Sequence, residues 1–198
     1  MPKEKKYHHG DLKPALVEAG IAILEEEGLD RLSLRAIAGR VGVSHTAPRN
    51  HFANLRALLT AIGTEGFRRH AAAMREGLTE TSPGPERLQA ATEGYIRFAR
   101  RHPALFELMF SKHYCDFDDP DLLAAARRSY AVLEEISRGL DWPGAEGPDR
   151  QLRTETMLWS LVHGYALLAL NGQIREGEER GRMPWITEVV PRFRYEEA

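Results

Sequence analysis

The chain has 198 residues, of which 42% are hydrophobic and 28% charged, with a formal net charge of −2 at pH 7. That length and apolar content suit one large domain or two small ones and exclude a disordered chain. The one cysteine, Cys115, excludes an intrachain disulfide and points to a reducing compartment.

Lys3, Lys5 and Lys6 form a short basic arm that either wraps a phosphate backbone or stays in solvent. No apolar run follows them, so no signal peptide is expected. The longest apolar run, Trp159 to Leu170, contains His163 and Gly164 and falls short of the ~20 residues of a membrane span. A soluble, cytoplasmic protein is expected. After the arm, Leu12, Leu16, Ala19 and Ile23 form one stripe, widened by Val17, Ile21 and Leu24. The spacing predicts a helix from about Asp11 to Glu27, ended by Gly28.

Ser33 is placed to cap the next helix. Leu34, Ile37, Ala38 and Val41 then fall at i, i+3, i+4 and i+7, one face of a helix, leaving Arg35 and Arg40 outward. Gly42 stops that helix, because glycine takes the left-handed conformation without a Cβ clash. Ser44 offers an N-cap oxygen to a second, short helix. Two short helices joined by a tight glycine turn are the geometry in which the second helix enters the major groove of duplex DNA. Ser44, His45, Thr46, Arg49 and Asn50 can bond to base edges or phosphates, with Arg35, His51 and Arg56 at phosphates. His51 has the alternative of capping or packing beside a core Phe52. Pro48 sits in the first turn, so the helix is tolerated but short. An ordinary amphipathic hairpin has the same spacing, and charge separates the two. From Arg31 to His70 there are seven arginines (31, 35, 40, 49, 56, 68 and 69) against Glu65 alone, in a chain that is acidic overall.

The run HHGDLKPALVEAGIAILEEEGLDRLSLRAIAGRVGVSHTAPRNHFANLRALLTAIGTEGF, from His8 to Phe67, resembles the N-terminal domain of the TetR family of bacterial transcriptional regulators. The resemblance covers about a third of the chain. It joins the helix ending in glycine, Leu-x-x-Ile-Ala, Gly-Val-Ser and His-Phe in the family order. Arg49 stands where many relatives carry Tyr, and Leu55 where many carry Lys, both tied in the family to phosphate contact. Arg49 can still reach a phosphate, and Arg56 offers a substitute for Leu55 from the next position. His8 and His9 resemble the family's entry to its first helix rather than a metal site.

Asn54 can cap a longer helix with Leu55, Leu58, Leu59 and Ile62 inward. This helix joins the two halves, and Gly63, Gly66 and Gly77 give it places to bend or pivot, each costing roughly 1 kcal/mol relative to Ala. Ser82 to Pro85 is a breaker. The charge balance then turns acidic: 16 basic against 21 acidic residues from Ala71 to Ala198, compared with 11 against 8 before it. Leu88, Ala91, Tyr95, Phe98 and Ala99 make a helical face, and Pro103 opens a short apolar helix through Phe110. Ser111 to Pro120 is loop-like. His113, Cys115, Asp116, Asp118 and Asp119 lack metal-ligand spacing, so the segment reads as a solvated acidic loop and Cys115 as a partly buried spectator, the alternative being a redox-sensing thiol. Leu122 to Ile136 is the next helix, closed by Gly139 and the turn at Trp142, Pro143 and Gly144.

Asp149 is placed to cap a long helix from about Arg150 to Ile174. Its second half, Met157 to Leu170, is apolar almost all round and must be buried on several sides. Trp159-x-x-x-His163-Gly164 resembles the C-terminal domain of one TetR subgroup. His163 is otherwise either a satisfied core histidine or a ligand contact. Glu176 to Arg182 is a charged loop, and Pro184 opens a last helix with Trp185, Ile186, Val189 and Val190 as its apolar face.

The expected fold is all-α: a three-helix helix-turn-helix domain over residues 1–70 and a helical effector-binding and dimerisation domain over residues 71–198. No P-loop, Gly-x-Ser-x-Gly or CxxC pair is present, so no enzyme, cofactor or metal is expected. The resemblance implies a repressor released from a pseudo-palindromic operator by a small molecule. It also implies a homodimer formed as a four-helix bundle from the last two helices of each subunit. The effector is expected to be small and apolar or aromatic, against Phe98, Phe106, Met109, Phe110, Tyr130, Trp159 and His163, a composition that an ordinary core shares. The competing function is an all-helical ligand carrier or enzyme without DNA affinity.

Overall fold

The computed structural model describes residues 12–79, 82, 84–144, 146–174, 186–190 and 193–195. In chain order the elements are α1 (Leu12–Glu27), α2 (Leu34–Val41), a 3₁₀ turn (Ala47–Asn50), α3 (Leu55–Arg75), α4 (Gly84–Arg101), α5 (Pro103–Met109), α6 (Pro120–Ser137), β1 (Leu140–Asp141), α7 (Arg150–Leu170), α8 (Ile186–Val189) and β2 (Arg194–Tyr195). The fold is all-α, as expected. The two short strands were not foreseen; they pair antiparallel, Leu140 opposite Tyr195 and Asp141 opposite Arg194. The basic arm, His8, His9, the Glu176–Arg182 loop, Pro184 and Trp185 lie outside the described residues.

The chain packs as two compact units, Met1–Gly66 with Ala104–Ala125, and Phe67–Pro103 with Ala126–Ala198. Packing therefore does not follow a division at residue 70. The α5 helix and the loop after it join the first unit, while α3 and α6 each contribute to both.

In the first unit, Leu16, Ile37, Leu58, Ile62, Leu105, Phe106, Met109 and Leu122 are fully buried, each such side chain stabilising by about 1.5–3 kcal/mol. Two glycines of α3 make room for close contacts. A Cβ at Gly63 would stand 2.8 Å from Cys115 Sγ, and one at Gly66 3.1 Å from Leu105 Cδ1 and 3.2 Å from Met109 Sδ. Gly77, at φ +80°, follows the end of the helix. Cys115 is wholly buried rather than partly. Burial pushes its thiol up to about 12 against the opposing field of Arg56, which disfavours the thiolate.

In the second unit, α4 packs on α7 and α8. It also passes α3 so closely that a Cβ at Gly94 would lie 2.1 Å from the Ala73 carbonyl oxygen. Leu88, Ala91, Ala99, Val132, Leu140 and Leu158 form the apolar centre. Asp149 precedes α7 without a side-chain capping bond, the first turn being held instead by Arg153 N–H donating to the Asp149 carbonyl at 2.9 Å. The helix ends at Leu170, four residues early, where Gly172 at φ +65° turns the chain and Gln173 N–H returns to the Leu168 carbonyl at 3.0 Å.

Candidate nucleic-acid interface and effector site

The helix-turn-helix is built from local bonds. Ser33 Oγ accepts from Ala36 N–H at 3.1 Å and starts α2. Gly42, at φ 77°, ends it, its N–H reaching the Ala38 and Gly39 carbonyls. Arg40 is tied back to α1 by ion pairs with Glu26 and, at 3.3 Å, Glu27. Its hydrogen bond to the Glu26 carboxylate, helped by the fields of Glu26 and Glu27, raises the guanidinium pKa.

The second helix differs from expectation. It is a 3₁₀ turn over Ala47–Asn50, and no side chain caps it. Pro48 explains this. In an α-helix the Ser44 carbonyl would accept from the N–H of residue 48, which proline lacks. The carbonyl accepts instead from Ala47 N–H at 3.0 Å, and Arg49 N–H follows with a bond to the Thr46 carbonyl at 3.1 Å. The Ser44 hydroxyl, not acting as a cap, lies 3.1 Å from that of Thr46. Pro48 and Phe52 are buried, with Lys13 Nζ 6.0 Å from the Phe52 ring centroid.

Arg35, Ser44, His45, Thr46, Arg49 and Asn50 are all exposed, and His51 is half-buried at the end of the turn. Arg56 is exposed but engaged, donating to the Cys115 carbonyl at 3.1 Å and, more weakly, to that of His113 at 3.5 Å. Asn54 caps α3 through Ala57 N–H at 2.9 Å. The Thr60 hydroxyl accepts from Asp116 N–H at 2.9 Å. The loop after α5 is therefore fastened to the first turns of α3. This is a structural use of Arg56 that the sequence reading lacked.

The seven expected effector residues are not one cluster within either unit. Phe106 and Met109 are fully buried in the first, with Phe110 beside Phe106 at 5.2 Å between ring centroids. Phe98, Tyr130, Trp159 and His163 belong to the second. There Phe98 is buried, Tyr130 and His163 are half-buried, and Trp159 is 43% exposed.

The second unit also gathers polar groups that sequence reasoning missed. The Tyr95 hydroxyl and His163 Nδ1 are 2.7 Å apart. His70 Nδ1 and the Ser129 hydroxyl are also 2.7 Å apart, and the His70 ring meets Tyr95 edge-on at 4.4 Å. Burial, then the field of His163, pushes His70 down to about 3. Burial likewise lowers His163 and raises Tyr95, the latter opposed by a hydrogen bond with Trp159. Glu155 is buried and accepts from the Tyr130 hydroxyl. A signal was present in the sequence: His70 falls in step with Phe67 and Met74, and Glu155 with Leu158 and Val162, polar residues at inward helical positions. Among the described residues, no group of three His, Cys, Asp or Glu side chains is placed to hold a metal, and no helix is long and apolar enough to cross a membrane.

Residues 88–183 match the family model for the tetracyclin repressor-like C-terminal domain. A solved structure of a protein of unknown function from Rhodococcus sp. RHA1 is 32% identical, with 88% of this chain and 91% of that one covered and a TM-score of 0.73. An HTH-type transcriptional regulator of Mycobacterium tuberculosis is 26% identical over 81% of this chain and 71% of its own length. A possible TetR family transcriptional regulator of Streptomyces coelicolor, 20% identical, shares the fold at a TM-score of 0.59 over 85% of this chain and 76% of that one.

Proposed function

From the premise that this chain belongs to the TetR family and is a DNA-binding transcriptional regulator, we propose that it is a dimeric repressor released from its operator by a small molecule. The observation that carries the reading is the exposed polar set on and before the 3₁₀ turn. Ser44, His45, Thr46, Arg49 and Asn50 present donors and acceptors to solvent, so they can exchange water for base edges and phosphates at the cost of no more than the Ser44–Thr46 hydroxyl contact. Arg35 and His51 flank them as phosphate contacts, and Arg56 divides its role between phosphate and loop. Residues 1–70 carry the DNA function and residues 71–198 the control.

One recognition turn touches too few bases for useful specificity, and two held about one DNA turn apart, ~34 Å, read a pseudo-palindrome. Apolar exposure on α7, where Leu152 and Leu168 are 58% and 42% exposed, supports a dimer. Light scattering at micromolar concentration is expected to give a dimer, and a strict monomer contradicts it. On the Trp159-x-x-x-His163-Gly164 pattern we read the control domain as one of the TetR subgroup that it resembles, with Tyr95, Trp159 and His163 as the polar and aromatic part of its effector site.

Release requires an effector that binds the DNA-free conformation more tightly, by about 10⁴-fold to carry the equilibrium from 1:99 to 99:1. The test is a competition screen of small metabolites on a duplex selected from a random pool. Loss of the duplex on adding one compound is the expected result. Selection of a duplex whose affinity no compound changes removes the effector from the account and leaves the DNA binding in place.

A further inference from the structure

The second unit buries a carboxylate in aromatic surroundings. Glu155 is 6% exposed. Its Oε2 accepts from the Tyr130 hydroxyl at 2.5 Å and its Oε1 from the Gln151 side-chain amide at 2.7 Å. Both partners donate, and both oxygens accept, the pattern of an ionised carboxylate. The negative field of Glu155, behind burial and the hydrogen bond itself, helps push the Tyr130 hydroxyl up to about 12. Both partners are also neutral. Among the described residues no Lys, Arg or His side chain pairs with Glu155, whereas buried anions are ordinarily matched by a cation.

The surroundings suit a cation from outside. Gln151, Glu155, Trp159 and His163 recur every fourth residue, so they run along one side of α7. Trp159, one turn from Glu155, leaves part of its ring exposed and meets Tyr130 edge-on at 6.1 Å and His163 at 6.4 Å. Burial lowers His163, and His70 is pushed down to about 3, so neither imidazole brings a positive charge at neutral pH. A carboxylate bonded to a phenol and one helical turn from an indole attracts an organic ammonium by charge, and the part-exposed indole can add cation–π contact. It repels an anion and gives a neutral compound no advantage.

We propose that the Glu155–Trp159–Tyr130 cluster recognises an organic cation, an ammonium group carried on an aromatic or apolar body, with Glu155 supplying the compensating charge. This rests on the effector-controlled reading above and gives its small apolar or aromatic effector a positive charge.

The test is calorimetric titration of the full chain with benzyltrimethylammonium, its neutral carbon isostere neopentylbenzene, and the anion 3-phenylpropionate. The wild type is expected to prefer the cation by at least about tenfold over both. Glu155→Gln, which retains an acceptor for Tyr130, brings the ratio of cation to isostere close to one and leaves the isostere's affinity unchanged. Trp159→Ala, at an exposed position, weakens the cation most. Equal affinities in the wild type, no binding of the cation, or a preference that survives Glu155→Gln overturns the proposal. The same additions to the complex with its selected duplex separate the two claims. A Glu155-dependent preference with unchanged duplex affinity supports the site and contradicts effector control. Release of the duplex by the isostere or the anion, with the cation inert, upholds control and rejects the cation.

Discussion

The polar groups of the helix-turn-helix and those of the second unit are arranged in opposite ways. Ser44, His45, Thr46, Arg49 and Asn50 are exposed, and the hydroxyls of Ser44 and Thr46 bond to each other. His70, Tyr95, Ser129 and Glu155 are buried and bonded to residues distant in sequence. A surface of the first kind exchanges water for a ligand at little cost to the fold. In a network of the second kind each group depends on its partner, because an unmatched polar atom in the interior is expensive. Substitutions in the first region should therefore be read out in DNA affinity, and those in the second in stability.

The largest effect is expected where the second unit has no room. Gly94→Ala drives a Cβ against the Ala73 carbonyl and should cost about 3 kcal/mol, the upper end of overpacking. A melting temperature equal to wild type would show that α3 and α4 separate easily there. Next is Arg49→Ala, which should leave melting unchanged and weaken the selected operator by about 1–3 kcal/mol if Arg49 reads a base. Equal losses on operator and random duplex would reassign it to phosphate, and no loss on either would remove it from the interface.

His70 sets a smaller, pH-dependent effect. Its folded pKa, about 3, lies below its ordinary value, so as pH falls the unfolded chain takes up the proton first. The stabilisation is complete above about pH 6.5 and declines toward pH 3, by about 1 kcal/mol per pH unit. Urea midpoints between pH 7 and 5 should fall more steeply for wild type than for His70→Asn, and parallel profiles would contradict a neutral buried imidazole. The smallest effect has the opposite sign. Nothing lies within 4 Å of a Cβ at Gly39 on α2, so Gly39→Ala should stabilise by up to about 1 kcal/mol. A loss there would erase the contrast with Gly94.

The same contrast governs what could be read without coordinates. Ser33, Gly42 and Asn54 act through bonds no more than four residues away, and each does what its position predicts. Pro48 was visible too, but the shift of the Ser44 carbonyl to Ala47 follows only when the ladder is traced bond by bond. The inward placement of His70 and Glu155 is legible from helical spacing, whereas their partners Ser129 and Tyr130 are not, because tertiary packing chooses them. The charge of Arg56 can be read from a sequence as a candidate phosphate contact, and the Cys115 carbonyl it also holds cannot. The contacts at Gly63 and Gly66 are hidden for a like reason, since the side chains that need their missing Cβ atoms lie some forty to sixty residues along the chain.

The central claim is that the exposed set around Arg49 reads duplex DNA as part of a symmetric pair. Its most direct test is selection of bound duplexes from a random pool, followed by titration of the winning duplex across a range of salt concentrations. The expected result is an enriched site of two inverted half-sites about one helical turn apart, bound more tightly than random duplex, with affinity falling steeply as salt rises. No enrichment, or equal affinity for selected and random duplex at every salt concentration, would contradict it.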